Sequence, residues 1–308
     1  WGFVDPAKVK LYGYGGAMLP EDFQKPYIDD LPEVPVMRYG ERMIFYAQGV
    51  VKWTAGSSMF THERNPYSQY GYYFLSENDD QPRTMETVSA NESMSATTVN
   101  DYALHEQELI NLGRTGRKFY GEDFIYEQIR TFTFDIPGIT ETPVSMQIDF
   151  VVKALASNSN TIAGQIKIKH NDVSLSQSSQ DRVYAILNNS QEATYASGRS
   201  TSTTKTWVRD PDNPDRITIQ FEGSQASTAR LDFIRLNMER DLKIYDGIVA
   251  FRNLKSRNTL LKYAVNVSGS SDPRIWDITD LQNPVSIESS QHDGCLWFVP
   301  QSVGLREY

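Results

Sequence analysis

The sequence predicts a mostly β protein: two or three β-rich units, one of them an antiparallel β-sandwich of jelly-roll type, and one short helix. Three observations carry this. Val144, Met146, Ile148, Phe150, Val152 and Ala154 occupy every second position, with Ser145, Gln147, Asp149 and Lys153 between them. That is the period of a strand with one core face and one wet face. The pattern returns at Ile166 and Ile168, at Ile217, Ile219 and Phe221, and at Ala229, Leu231 and Phe233, with turn-rich loops rather than helices between. Such a run of alternating strands favours a sandwich. Finally, 17 Tyr, 14 Phe and 5 Trp among 308 residues bias the chain toward sheet, and the length exceeds what one core usually holds.

Taken in order, residues 1–75 read as an N-terminal β domain, with strands at 9–12, 34–37, 43–47 and 70–75. In the last, Tyr70, Tyr72 and Phe74 alternate with Gly71, Tyr73 and Leu75, which suits cover on both faces. The string LYGYGGAMLPE at 11–21 is a strand running into glycines that turn at little cost. No Gly-Lys-Ser/Thr and no helix follow it, so it reads as a strand-to-loop corner rather than a phosphate loop. Residues 76–118 read as a polar linker followed by the short helix, at 101–112. Asn100 is its cap, Tyr102, Leu109 and Leu112 recur near helical spacing, and Gly113 ends it before Arg114, Arg117 and Lys118. Residues 119–241 are the sandwich. Residues 242–308 form a β extension with strands at 248–251, 261–267, 274–278 and 295–299, and Trp276 is expected to be largely buried.

The net charge of −9 argues against a nucleic-acid partner. No apolar run reaches the roughly 18 residues of a membrane span. The chain opens on Gly2-Phe3-Val4-Asp5-Pro6 after Trp1 with no signal peptide, so a targeting segment is expected to have been removed. Cys295 is the single cysteine, which rules out an intrachain disulfide.

No catalytic set is expected. His62, His105, His170 and His292 are scattered, and none has a second His or Cys at metal-ligand spacing. Cys295 follows His292 by three residues, which on one extended segment throws the side chains to opposite faces. No metal or cofactor is expected. The weak calcium candidate is Asp210, Asp212, Asn213 and Asp215 in DPDNPD, residue types that are also ordinary turn formers. Tyr195 and Trp207 are candidates for stacking on a sugar. The string LDFIRL at 231–236 is similar to the last strand of carbohydrate-binding jelly rolls, the alternative reading of the chain. The five-residue apolar run CLWFV at 295–299 calls for cover on both sides, so Leu296, Trp297, Phe298 and Leu305 are interface candidates.

Four strings in order, LYGYGGAMLPE at 11–21, NPYSQYGYYFL at 65–75, TGRKFYGEDF at 115–124 and RIWDITDLQNPVSIE at 274–288, give a resemblance to one family. The chain resembles the region upstream of the catalytic domain in the gingipain-like cysteine peptidase that acts as sortase of the type IX secretion system of Bacteroidetes. Phe119 stands where that family is expected to carry tryptophan. The resemblance implies a cell-surface, outer-membrane protein that removes C-terminal sorting domains from secreted cargo and joins the new terminus to anionic lipopolysaccharide. Its His and Cys belong to a caspase-like α/β domain expected downstream of Tyr308, so neither maps onto this chain. This region is then non-catalytic. Its implied partners are that domain, and other secretion-system proteins or cargo.

Overall fold

The computed structural model describes the chain apart from residues 1, 23, 25–29, 89–93, 113–115, 159, 177–180, 192–197, 211–212 and 225, and the side chain of Met94. Two compact units emerge, Asp101–Arg240 and a unit made of Trp1–Asn100 with Asp241–Tyr308.

The Asp101–Arg240 unit is an antiparallel β-sandwich. One sheet runs Thr98–Glu106, Thr228–Asp241, Val144–Lys153, Arg199–Trp207 in that order. The other runs Ile129–Phe134, Asp215–Gly223, Ile162–His170, and Val173–Ser174 and Arg182–Tyr184 both pair with Ile162–His170. Strict alternation does the sorting. Met146, Ile148 and Phe150 point inward opposite Leu236, Ile234 and Leu231. They meet Phe132, Ile166, Ile168, Ile217 and Ile219 of the facing sheet in one buried core. Burying such side chains is the main stabilising term. The edge strand Arg199–Trp207 turns Lys205 inward. Its Nζ lies 2.8 and 3.0 Å from the Asp181 carboxylate oxygens, and Thr203 Oγ1 donates to the same group at 3.2 Å.

The other unit holds small sheets. Val9–Gly15 lies between Glu33–Val34 and Tyr72–Glu77 over a core of Leu11, Val34 and Val36. Ser290–His292, Cys295–Phe298, Leu261–Asn266 and Met94–Ala96 form a second sheet, and Ile275–Asp277, Val285–Ile287 and Thr87–Val88 a third. Gly15 has φ 82°, and a Cβ there would meet the Gln48 carbonyl oxygen at 2.8 Å, so the corner demands glycine.

Several expectations are corrected. Residues 101–112 are not a helix: Thr98–Glu106 is a strand paired with Thr228–Asp241. Ala103 faces the sandwich core, whereas Leu109 and Leu112, which suggested a helical stripe, are exposed. Asn100 starts no helix of its own and instead serves the first N–H of the 3-10 turn Leu254–Arg257. Its side chain accepts from Leu254 N at 2.8 Å. Gly113 and Arg114 lie outside the described residues. The described helical turns are the short 3-10 segments Pro6–Lys8 and Leu254–Arg257.

The 76–99 segment is not merely a linker. Thr87–Val88 and Met94–Ala96 pair in parallel with Val285–Ile287 and Leu261–Asn266. These strands are held by backbone bonds and by Val88 and Ala96 packing on the core, in a stretch whose composition is otherwise polar. Nor is 242–308 an extension: Val99 joins Leu242, Phe251, Tyr263, Val265, Phe298 and Tyr308 in one core. Trp276 is largely buried, as expected, and its indole nitrogen is fully enclosed.

The last residues are tied down. Phe251 and Tyr308 exchange backbone hydrogen bonds at 2.8 and 2.9 Å. The buried Arg252 guanidinium grips Glu307, its Nε donating to Oε2 at 2.8 Å. Arg306 Nη1 donates to Asp277 Oδ2 at 2.6 Å.

Candidate functional site

The sandwich has an open side, where Thr98–Glu106 ends one sheet and Ile129–Phe134 ends the other. A groove of about 550 Å³ lies there, lined by Leu104 and His105, by Arg130 to Phe134, and by Glu122 and Glu127. Its size is that of an ordinary ligand site. Odd-numbered residues of Thr98–Glu106 face inward at this edge, so His105 meets Phe132, with ring centroids 4.7 Å apart. His105 Nε2 lies 2.7 Å from Glu122 Oε1. Glu122 Oε2 is enclosed and has no hydrogen-bond partner. Arg130 is engaged: Nε donates to the Asp123 carbonyl at 2.7 Å and Nη1 lies 2.9 Å from Glu127 Oε2.

Burial alone would raise the Glu122 pKa. The His105 hydrogen bond, one from its own backbone, and the nearby charges of His105 and Arg130 outweigh it and hold the carboxyl below its usual 4.5. A depressed carboxyl stabilises the fold above the unfolded value and loses that contribution as pH falls through the folded one. Glu122→Gln should therefore flatten the acid limb of a stability-versus-pH curve below 4.5 and leave its alkaline limb alone. Urea titrations at stepped pH check this, and an acid limb identical to the parent's would show that the pair carries no linkage.

Among the described residues, the calcium candidates lie in different surroundings. Asp215 opens the Asp215–Gly223 strand opposite Phe134 and is fully buried. Its Oδ1 is 2.6 Å from His170 Nε2 and accepts from Trp207 Nε1 at 3.0 Å, while Arg209 Nε stands 3.8 Å from Oδ2. Asp210 stays exposed and accepts from Asn213 Nδ2 at 2.7 Å. Asp212 lies outside the described residues. Trp207 is likewise buried, its ring stacked 4.6 Å from His170, and offers no face to a sugar. Tyr195 lies outside the described residues.

Two interface candidates are corrected as well. Leu296 and Phe298 are each 3% exposed and sit in the aromatic core with Tyr263 and Tyr308. Trp297 and Leu305 are half-buried. The CLWFV run is thus covered on one side by its own unit. On the other, the Trp297 ring stacks on His292 with centroids 5.1 Å apart and an interplanar angle of 5°, and Lys262 Nζ lies 5.0 Å from it. His292 and Cys295 are not on opposite faces. They are directly opposite partners across a hairpin whose turn, Asp293-Gly294, has φ 53° and 72°.

In the other unit, one face of Tyr72–Glu77 is open, against the expectation of cover on both sides. Tyr70, Tyr72 and Phe74 are exposed beside Tyr67 and Leu19, around a groove of about 510 Å³.

This geometry defines a class: an antiparallel β-sandwich joined through two of its strands to a second, many-sheeted β unit. The crystal structure of dimeric latent PorU from Porphyromonas gingivalis has this fold, matching 99% of this chain with a TM-score of 0.83 at 24% identity. The match spans 29% of that chain, so this sequence corresponds to under a third of the length of its structural relative. Two carbohydrate-binding modules overlap 46% of the chain at 12% identity: the CBM36-1 domain of a xylanase from the Trinervitermes trinervoides hindgut metagenome (TM-score 0.26, 94% of that chain) and a family 35 module from Clostridium thermocellum (0.25, 98%). Scores this low carry no inference. No protein-family model and no curated protein matches the sequence.

Proposed function

We propose that this chain is the non-catalytic N-terminal region of a cell-surface, gingipain-like cysteine peptidase of the type IX secretion system. The parent removes C-terminal sorting domains from secreted cargo, and this region supports its catalytic domain or docks its partners. The observation that carries the reading is the likeness to latent PorU along 99% of the chain, over the same span in which four family strings occur in order. Under this reading the nucleophile and base lie in a caspase-like domain of the same parent. His292 and Cys295 are then a hairpin pair rather than a catalytic one, with His292 stacked on Trp297.

The purified 308-residue chain should leave a secreted protein bearing a C-terminal sorting domain uncut, while the full-length parent cuts it. Cleavage by the 308-residue chain that disappears on Cys295→Ala would overturn the non-catalytic assignment.

A further inference from the structure

We infer that the groove on the open side of the sandwich docks an extended peptide, which adds as a strand to the free edge of Ile129–Phe134 and seats a lysine or arginine side chain against Glu122. The groove belongs to the sandwich itself and would act so whatever the parent protein is.

The edge supplies the first half. Among the described residues, Ile129–Phe134 pairs only with Asp215–Gly223 in the sheet order. Phe221 N donates to the Gln128 carbonyl at 3.0 Å, which fixes the phase of the ladder. In an antiparallel pair, residues alternate between those bonded to the partner strand and those turned away from it. Gln128, Arg130, Phe132 and Phe134 therefore spend their backbone groups on Asp215–Gly223. Ile129, Thr131 and Thr133 direct theirs to the open side. Five consecutive residues, Arg130 to Phe134, line the groove, so this open side faces it. A row of N–H and C=O groups at strand spacing is the template used in β-strand addition, where side-chain pockets then set specificity.

Charge supplies the second half. Glu122 has one oxygen on His105 and the other enclosed without a donor. An ionised, enclosed oxygen left unpaired is costly, and an N–H donor carrying positive charge answers both deficits. The one arginine lining the groove is already held by Glu127 and the Asp123 carbonyl. With Arg130 and Glu127 offsetting each other, Glu122 is the remaining carboxylate facing the space in a protein of net charge −9, which fits a cationic side chain and repels an acidic one. A neutral sugar fits less well. It could donate to Glu122, but it does not match a peptide edge, and Phe132 is buried and engaged by His105 rather than offered as a stacking platform.

The test uses the 308-residue chain and a labelled, end-blocked peptide Ser-Thr-Ser-Lys-Ser-Thr-Ser, its central-Glu counterpart, and cellohexaose as a neutral sugar. Fluorescence polarisation is read in about 50 mM salt, where screening is weak. The lysine peptide should bind at least about tenfold tighter than the glutamate peptide, and Glu122→Gln should shrink that ratio to under about twofold. Thr131→Pro removes an outward N–H without touching the ladder, so it should weaken both peptides about tenfold or more. Should that variant fold poorly, the lysine peptide N-methylated on alternate residues reads the same backbone pairing against the unaltered protein. Equal binding of the two peptides, indifference to Glu122→Gln, full-strength binding of the N-methylated peptide, absence of peptide binding, or Glu122-dependent binding of cellohexaose in its place would each overturn the assignment.

Discussion

Phe298→Lys should unfold the core of the Trp1–Asn100 and Asp241–Tyr308 unit, whereas Trp297→Lys, one position away, should leave it folded. Phe298 is buried against the rings of Tyr263 and Tyr308, with centroids 5.1 and 5.0 Å away, and Phe251 at 6.2 Å. Losing such a side chain alone costs about 3–5 kcal/mol. An ammonium in its place adds desolvation, against a total stability of about 5–15 kcal/mol for a typical domain. Trp297 faces the other way. Its partners are a stacked His292 and the Lys262 ammonium, contacts of about 0.5–1.5 kcal/mol at a half-buried site. Thermal unfolding followed by near-ultraviolet circular dichroism separates the two variants. A melting temperature unchanged by Phe298→Lys would mean that the aromatic cluster does not hold this unit together.

The second large effect is at the closed edge of the sandwich. Lys205→Ala should cost about 3–5 kcal/mol, because it removes the ammonium that neutralises a buried carboxylate. The Asp181 side chain is 0% exposed and Lys205 only 8%, so neither charge can turn to water when the other is removed. Lys205→Met together with Asp181→Leu, which removes both charges and keeps the volume, should come within about 1–2 kcal/mol of the parent. Chemical denaturation of the single and double variants decides it. A single variant as stable as the parent would show that solvent reaches Asp181 after all.

The sandwich was legible because its central strands obey a period-two pattern that only a half-buried strand produces, as at Val144–Lys153 and Asp215–Gly223. The sandwich's edge and the other unit were less so. Thr98–Glu106 carries weak alternation, and its strand character comes from pairing with Thr228–Asp241, a partner about 130 residues downstream that no local propensity encodes. Thr87–Val88 and Met94–Ala96 are two and three residues long inside a mostly polar stretch, and their parallel partners lie far downstream, so composition reads them as loop. The His105–Glu122 groove has no motif, because its walls come from the edges of two different sheets. The hairpin that sets His292 opposite Cys295 did have a signal, since Asp-Gly between two short strands is a strong tight-turn pair.

The likeness to latent PorU extends to 29% of that chain, and the proposed function rests on what the remainder of the parent would be. The most direct test is to sequence the gene and its messenger RNA past the codon for Tyr308. The account predicts an uninterrupted reading frame that continues into an α/β domain carrying a histidine and a cysteine, and a protein of that full length at the cell surface. A frame that stops after Tyr308, or that continues into a domain without that pair, would contradict it.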